Sequence, residues 1–202
     1  MPLVFYKELS KSQKIAVWEI TEPLVFFEQK IRINFEFNTS LKRQLEKMAA
    51  AYLLDLIEGE NLHFNLYYNN DGKPEILNSK ISVSFSHSKS MIACIIDLDG
   101  KPVGIDIEQQ RPQIIKLAPK FTNFDDCILT KDNFILNSHF IWGAKEVLFK
   151  IWSKKEVDFK HDLSIYKALD GYFGKIKKFN PPQIFSINYL LINDFLLVYS
   201  CI

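Results

Sequence analysis

Two carboxylates lie two residues apart in a short stretch of alternating character. Within residues 103–108, apolar residues alternate with Gly104, Asp106 and Glu108, which is the pattern of a half-buried strand with both carboxylates on one face. Their Cα atoms would lie roughly 6.5 to 7 Å apart, because a strand rises about 3.3 Å per residue. A hard cation such as Mg²⁺ could bind between them, since it prefers carboxylate oxygens. Taken alone, the pair is more typical of a solvent-facing strand edge.

A predicted helix over residues 142–150 adds two more charged groups. Glu146 and Lys150 are i and i+4 neighbours on the face that also carries Trp142 and Phe149. Alone, Glu146 and Lys150 would be interpreted as an ordinary helical ion pair, and Trp142 as a packing residue. In combination with the strand, they would bring a third carboxylate and an ammonium to the same space.

A third polar group stands at the end of a predicted strand over residues 81–88. Ser86, His87 and Ser88 could cap or fill a turn, or could donate hydrogen bonds to a phosphate. A Ser-His-Asp hydrolase is a weak interpretation, because the sequence has no G-x-S-x-G elbow. A P-loop or a Rossmann dinucleotide site is disfavoured, since neither glycine motif is present.

The remaining histidines, His63, His139 and His161, do not have the spacing of zinc ligands. We interpret them as structural residues.

The elements that must position these groups can be outlined from periodicity. In the first half we expect a strand over residues 14–20, a short helix from Thr21-Glu22-Pro23 to about Lys30, and a long amphipathic helix from a cap at 38–40 to a stop at Gly59. Residues 69–74 predict an exposed loop and residues 91–96 a central strand. A hairpin turn at 97–100 is predicted to lead into the strand of Asp106.

In the second half, residues 114–121 predict a short helix, and another helix approaches Trp142 from about Asp132. Four strand-like pieces between residues 163 and 202 then form an antiparallel meander. Helices beside antiparallel strands in both halves indicate the α+β class.

Composition limits the function classes. The chain has 202 residues, 48% of them hydrophobic, and a formal net charge of +1, so it can bury a core as one domain or two small ones. Global charge gives no argument for nucleic acid or membrane partners. Three cysteines, Cys94, Cys127 and Cys201, include no CxxC pair and argue against a disulfide framework. Residues 1–14 lack the pattern of a signal peptide, so we expect a cytoplasmic protein.

Three ordered motifs resemble a known family. They are Gly72-Lys73-Pro74 leading to Ser86-His87-Ser88, then Val103 to Glu108, then Trp142 to Lys150. The chain resembles the 4′-phosphopantetheinyl transferases of the monomeric, surfactin-synthetase-activating type. Each motif is weak alone, whereas the ordered set is quite specific, and the match spans about residues 41 to 160.

The resemblance implies two similar α+β halves related by a pseudo-twofold axis, each an antiparallel sheet with packed helices. Residues 1–100 would form the half on the coenzyme A nucleotide side, and residues 101–202 the half that binds metal and carrier protein. It also implies Mg²⁺-dependent transfer of phosphopantetheine from coenzyme A to a serine of an apo acyl or peptidyl carrier protein, with release of adenosine 3′,5′-bisphosphate. Mn²⁺ could replace Mg²⁺. The protein would be a monomer.

The same resemblance assigns residues to roles. The metal ligands would be Asp106, Glu108 and Glu146, with Glu146 also counted as catalytic. Lys150 would contact the transferred phosphate or the leaving group. The residues expected to contact coenzyme A are Gly72, Lys73, Pro74, Ser86, His87, Lys145 and Arg43.

Two positions depart from the family pattern. Ala51 stands where relatives usually carry an arginine that holds the 3′-phosphate of coenzyme A, and Lys42, Arg43 or Lys47 could replace it. Asp126 is the best match to a glutamate suited to activating the serine, so we expect it to be the general base.

Two competing hypotheses follow from these departures. One is a non-catalytic homologue that binds coenzyme A or a carrier protein, and the other is a structural interaction protein. The basic residues Lys154, Lys155 and Lys160 could form a docking patch for an acidic carrier. They could equally be a solvated turn.

Overall fold

The computed structural model describes residues 2–31, 40–59, 62–127, 129–130, 132–154 and 156–200. Over these residues the protein is α+β, with every strand pairing antiparallel and with four α-helices. The chain divides into two compact units, Met1–Lys101 and Pro102–Ile202. Each unit is described in turn.

The described residues of the first unit form six strands, two α-helices and one 3-10 helix. In chain order these are β1 (Leu3–Glu8), β2 (Gln13–Glu19), α1 (Leu24–Lys30), α2 (Leu41–Glu58), the 3-10 helix Leu62–Asn65, β3 (Leu66–Tyr68), β4 (Pro74–Ile76), β5 (Ser82–Ser88) and β6 (Met91–Asp97). The main sheet has the order β1-β2-β6-β5, and β3 and β4 form a separate hairpin. All residues of β6 are buried, which confirms the predicted central strand.

Helix α2 begins and ends where its sequence predicts. The Ser40 hydroxyl accepts a hydrogen bond from the Arg43 backbone N–H at 3.4 Å, and Gly59 ends the helix in the left-handed conformation with φ of 74°, where glycine is favoured. The predicted cap residues Asn38 and Thr39 lie outside the described residues. The buried face of α2 packs on β2 and β6. The opposite face, toward the start of the helix, is left for polar side chains.

Over the residues that the structure describes, the second unit has five strands and two α-helices. They are β7 (Gly104–Gln109), α3 (Ile114–Phe121), α4 (Phe134–Trp152), β8 (Leu163–Ala168), β9 (Gly171–Ile176), β10 (Gln183–Ile192) and β11 (Phe195–Ser200). The sheet order is β7-β11-β10-β9-β8, and α4 lies across it. The predicted meander and the two predicted helices are therefore confirmed. Asn133 caps α4, because its side-chain oxygen accepts from the Leu136 N–H at 2.9 Å.

One prediction about strand pairing was wrong, and two strand elements were not predicted. The turn at residues 97–100 exists, with Gly100 at φ of 82°, but it does not close a hairpin. Strand β6 pairs with β2 and β5, whereas β7 pairs with β11. Both edges of β6 are thus already occupied, which the turn residues alone could not indicate. Strand β1 and the β3–β4 hairpin were not predicted.

The described residues give two further structural facts. Cys94 and Cys127 are free thiols, and Cys201 lies outside the described part. Within that part, no helix combines the length and the apolar character needed to cross a bilayer.

Candidate functional site

The two strand carboxylates lie on β7, and Asp106 is buried rather than solvent-facing. Asp106 is 4% exposed and Glu108 is half-buried. Lys150 on α4 donates from Nζ to Asp106 Oδ1 at 3.0 Å and to the Ile105 carbonyl at 2.6 Å. A buried carboxylate needs such a partner, because an uncompensated charge is costly away from water. The interpretation of Asp106 as part of an exposed strand edge is therefore wrong.

Glu146 on α4 shares this environment. Burial, followed by the negative charges of Asp106 and Glu108, raises the pKa of Glu146 to about 7, while Lys150 acts in the opposite direction. Asp106, Glu108 and Lys150 therefore all lie within electrostatic range of Glu146. Their proximity concentrates negative charge in one part of the second unit.

The fit of a metal ion to this acidic cluster can be judged from its donors. All three side chains offer oxygen atoms, which are the ligands that Mg²⁺ selects. Asp106 and Glu108 repel the Glu146 carboxylate and so help to raise its pKa. A bound divalent cation would relieve that repulsion. In their present positions, however, no three His, Cys, Asp or Glu side chains among the described residues form a group that could hold a metal ion. The cluster fits Mg²⁺ in donor chemistry and would need side-chain rearrangement to bind it.

Two glycines allow α4 to approach the acidic strand. A Cβ atom on Gly143 would lie 2.9 Å from Val198 Cγ2 and 3.4 Å from Asp106 Oδ2. A Cβ atom on Gly104 would lie 2.5 Å from the Val147 carbonyl oxygen. Both glycines belong to the motifs that carry the acidic residues. The two motifs therefore contain both the acidic residues and the glycines that allow α4 to pack closely on β7.

Lys145 lies in a different environment from its neighbour Glu146. Its side chain is fully buried, and its Nζ lies 2.7 Å from Asp126 Oδ2. It also donates to the carbonyls of Phe121 at 2.8 Å and Phe159 at 2.9 Å. Burial lowers the pKa of Lys145, and the hydrogen bond and charge of Asp126 oppose that change. An ammonium has three N–H donors, and here each has an acceptor.

Asp126 is equally enclosed. Its Oδ1 accepts from the Ile165 N–H at 2.9 Å and its Oδ2 from the Asn123 N–H at 2.8 Å, in addition to Lys145. The side chain is 1% exposed. The geometry therefore gives no support to two predictions, Asp126 as a general base and Lys145 as a phosphate ligand. The charged groups of Asp126 and Lys145 instead bind each other in a buried ion pair, which joins α4 to the segment after α3.

A pocket of about 280 Å³ lies in the first unit. Arg43, Glu46, Lys47 and Ala50 line it from one face of α2, as their helical spacing requires. The other lining residues come from three strands and are Tyr68, Phe85, Ser86, His87 and Ile92. Three of the predicted coenzyme A residues, Arg43, Ser86 and His87, are thus brought together.

The pocket has a basic side and an apolar side. Arg43 and Lys47 supply positive charge, and Lys47 Nζ lies 5.3 Å from the centre of the Tyr68 ring. Burial raises the pKa of Tyr68 to about 12, so its phenol is neutral near pH 7. Ala50, Phe85 and Ile92 provide apolar contact. A flat apolar ring system bearing phosphate would match both sides.

The position of Ala51 is explained by the core. Ala51 is 0% exposed and belongs to the cluster beneath α2, so an arginine at that position would enter the core of this protein. Arg43 and Lys47 line the pocket instead. Lys42 points outward, with 72% of its side chain exposed, 3.6 Å from Glu46 Oε1.

The predicted loop Gly72-Lys73-Pro74 forms the turn of the β3–β4 hairpin. Gly72 has φ of 82°, a conformation that glycine adopts at little cost. Asn69 Oδ1 accepts from the N–H groups of Asp71 and Lys73, each at 3.0 Å. The loop is thereby held in a defined shape. Pro74, the first residue of β4, pairs with Tyr68, but Gly72, Lys73 and Pro74 are not among the described lining of the pocket.

A second pocket of about 300 Å³ lies in the other unit beside the acidic cluster. It is lined by Glu108, Gln109, Arg111, Gln113, Ile114, Leu117, His139 and Trp142. His139 Nε2 accepts from the Arg111 N–H at 2.9 Å, and burial lowers the pKa of His139. The packing role predicted for Trp142 is confirmed by its ring contacts with Phe121 and Phe159.

The other residues weighed from the sequence have ordinary surroundings. His63 lies against Asp55 and His161 against Asp158, which agrees with structural roles. In the predicted basic patch, Lys160 donates to the Pro119 carbonyl at 2.9 Å and Lys154 lies over the Trp152 ring. Lys155 lies outside the described residues.

Comparison with known proteins does not assign the chain to a family. No protein-family model matches the chain, and no curated protein matches it significantly.

Sequence reasoning missed two charged residues that line the pockets. Glu46 and Arg111 carried no motif signal. For Glu46 a signal was available, because it shares a helical face with Arg43 and Lys47.

Proposed function

We propose that this protein transfers the 4′-phosphopantetheine group of coenzyme A to a serine of an apo acyl or peptidyl carrier protein. Two observations in the second unit support the proposal. Asp106, Glu108 and Lys150 act electrostatically on Glu146, and Lys150 on α4 forms an ion pair with Asp106 on β7. In the reaction, the serine oxygen forms a bond to the phosphorus next to pantetheine. The diphosphate bond breaks, adenosine 3′,5′-bisphosphate leaves, and the serine proton is released.

The acidic cluster is the proposed metal site. Asp106, Glu108 and Glu146 would hold Mg²⁺, which supplies charge neutralisation and orientation to the diphosphate. Mn²⁺ has the same ligand preference. The Lys150 ammonium lies 3.0 Å from Asp106, and its side chain is partly exposed. When Mg²⁺ occupies the carboxylates, Lys150 would move from Asp106 to the phosphate oxygens.

The pocket in the first unit is the proposed nucleotide site. Its basic side, formed by Arg43 and Lys47, would bind phosphate in place of the arginine that Ala51 replaces. Ser86 and His87 would add hydrogen bonds, and the apolar side would pack against the adenine. The loop Gly72-Lys73-Pro74 stays in the proposal as a contact to the same end of coenzyme A.

Lys145 and Asp126 are not part of the proposed reacting groups. Their ion pair is buried and each polar atom has a partner. Using either side chain would require opening this pair.

The proposal includes the finer features that the resemblance implies. These are two similar halves related by a pseudo-twofold axis, a monomer, a cytoplasmic location and an acidic carrier as partner. In the second unit, α3 and the segment before it supply the basic residues Arg111, Lys116 and Lys120, and Lys160 donates to the Pro119 carbonyl of α3. All four side chains are exposed or partly exposed. They would complement an acidic carrier.

The direct test uses the full chain, coenzyme A, Mg²⁺ and several apo carrier proteins, with mass spectrometry of the carrier. We expect the carrier to gain the mass of one phosphopantetheine group, and removal of Mg²⁺ with EDTA to stop the gain. Asp106→Asn should lower the rate by about 100-fold or more. Asp170→Asn, on an exposed turn, is the matched control and should react like the wild type. No mass gain with any carrier would refute the proposal.

A non-catalytic homologue is the second candidate, favoured by one observation. The predicted base Asp126 is enclosed by its partners and cannot reach a serine hydroxyl as it stands. Such a protein would bind coenzyme A or a carrier without transfer. Binding by calorimetry together with an unchanged carrier mass would establish this alternative.

A further inference from the structure

One residue of the nucleotide pocket has a charge that does not suit an anion site. Glu46 is 8% exposed and lines the pocket beside Arg43 and Lys47. A buried carboxylate at this place would repel a phosphate and weaken its binding. The contacts of Glu46 must therefore explain why a carboxylate is present in this pocket.

The main contact of Glu46 is with His87. Glu46 Oε2 lies 2.9 Å from His87 Nε2, and the contact joins α2 to the end of β5. The Glu46 side chain is 11% exposed, whereas that of His87 is 55% exposed. The carboxylate is thus the fixed partner, and the exposed imidazole is the group that it holds.

This contact decides which ring nitrogen can serve a ligand. A carboxylate only accepts hydrogen bonds, so His87 donates to it from Nε2–H. In the imidazolium form both ring nitrogens carry a proton, so Nδ1–H is then the donor left for a phosphate in the pocket. An exposed histidine without such a partner would sample several rotamers, and each would have to be restricted when a ligand binds.

We propose that Glu46 is a positioning residue that holds the His87 ring with Nδ1 available to a phosphate of the nucleotide. This inference deepens the proposed function and rests on it. Glu46 acts through His87 and does not itself contact the phosphate. The gain from orienting His87 exceeds the loss from the repulsion between carboxylate and phosphate.

The two possible roles of Glu46 predict opposite results on mutation. If Glu46 positions His87, Glu46→Ala should weaken the binding of adenosine 3′,5′-bisphosphate by about five- to thirty-fold. Glu46→Gln keeps an acceptor oxygen at the same reach and should restore part of the affinity. If Glu46 is only a nearby negative charge, both variants should bind the bisphosphate more tightly than the wild type.

Two controls separate positioning from a general structural effect. Adenosine has no phosphate, so its affinity should be the same for Glu46→Ala and for the wild type. In a His87→Ala background, Glu46→Ala should cause no further loss, because the group it positions is gone. Affinities would be measured by calorimetry, with thermal melting to verify that each variant is folded.

The outcomes distinguish this inference from the function on which it rests. If the wild type binds neither coenzyme A nor the bisphosphate, the proposed nucleotide site is wrong and the inference fails with it. If the wild type binds and Glu46→Ala binds equally or more tightly, only the role of Glu46 is overturned. Equal losses in the presence and absence of His87 would also overturn it.

Discussion

Lys150 Nζ lies 3.0 Å from Asp106 Oδ1 and so connects α4 to β7 through a partly buried ion pair. The two residues are 44 positions apart, and each belongs to one of the motifs found in the sequence. The pair holds a helix that carries Glu146 against a strand that carries Glu108. Most of the expected behaviour of the site follows from this contact.

Removal of Lys150 alone should destabilise the protein. Lys150→Met leaves Asp106 buried without its cation, and we expect a loss of about 1 to 3 kcal/mol in the free energy of unfolding. Asp106→Asn combined with Lys150→Met should lose less than the sum of the single variants, because the uncompensated charge is gone. Urea denaturation at pH 7 measures both. Strictly additive losses would show that the contact contributes no coupling.

Magnesium should stabilise the folded protein through the acidic cluster. At a concentration near ten times the dissociation constant we expect a rise in melting temperature of about 3 to 6 °C, or ~1.4 kcal/mol. Glu146→Gln should abolish the rise. Glu28→Gln, an exposed carboxylate of α1, should retain it. A similar rise in both variants would mean that Mg²⁺ binds elsewhere.

The buried pair of Lys145 and Asp126 should matter for stability. Lys145→Met leaves a buried carboxylate without its cation, and we expect a loss of about 3 to 5 kcal/mol. Lys160→Met is the matched control, because Lys160 is a partly exposed lysine that also donates to a carbonyl, and its loss should stay within about 1 kcal/mol. Chemical denaturation distinguishes the two. A loss below about 1 kcal/mol for Lys145→Met would contradict the structural role.

Substitution of Gly143 should destabilise the protein, because there is no room for a Cβ atom beside Val198. Alanine normally stabilises a helix relative to glycine by about 1 kcal/mol, but here its Cβ would lie 2.9 Å from Val198 Cγ2. We expect Gly143→Ala to destabilise by about 1 to 3 kcal/mol. In a Val198→Ala background the same change should become neutral or stabilising. Calorimetric melting of the four proteins tests this, and a persistent loss in the Val198→Ala background would locate the clash elsewhere.

Mutation should show which cations of the proposed nucleotide pocket contribute to binding. Arg43→Ala and Lys47→Ala should each weaken coenzyme A binding by about five- to thirty-fold, as expected for hydrogen bonds to a charged group. Lys42→Ala should change it less than about two-fold, because Lys42 points outward. Calorimetric titration gives the affinities. A dominant effect of Lys42 would contradict the assignment.

An arginine should not be tolerated at Ala51, where the transferases that this chain resembles usually carry one. Ala51→Arg would place a guanidinium among apolar side chains, and we expect a loss of more than about 3 kcal/mol. Thermal melting and solubility are the measurements. A folded Ala51→Arg protein that binds coenzyme A more tightly would show that the side chain can reach the pocket.

Local patterns in the sequence were sufficient for much of this protein. The bounds of α2 follow from a hydroxyl cap and a glycine stop, and the α+β class follows from alternating and helical periodicity, because these signals act within a few residues. The charged residues of the two motifs could also be selected from their spacing along a strand and a helix.

Tertiary structure decided which partner each of these residues has. It paired β7 with β11 rather than with β6, buried Asp106, and enclosed Asp126 with Lys145. It also placed Glu46 against His87. Sequence spacing determines the face on which a side chain lies, whereas burial and ion pairing depend on elements distant in the chain. For that reason the sequence could indicate the acidic residues, and only the fold could show which of them lie near Lys150 and which are held in a buried pair.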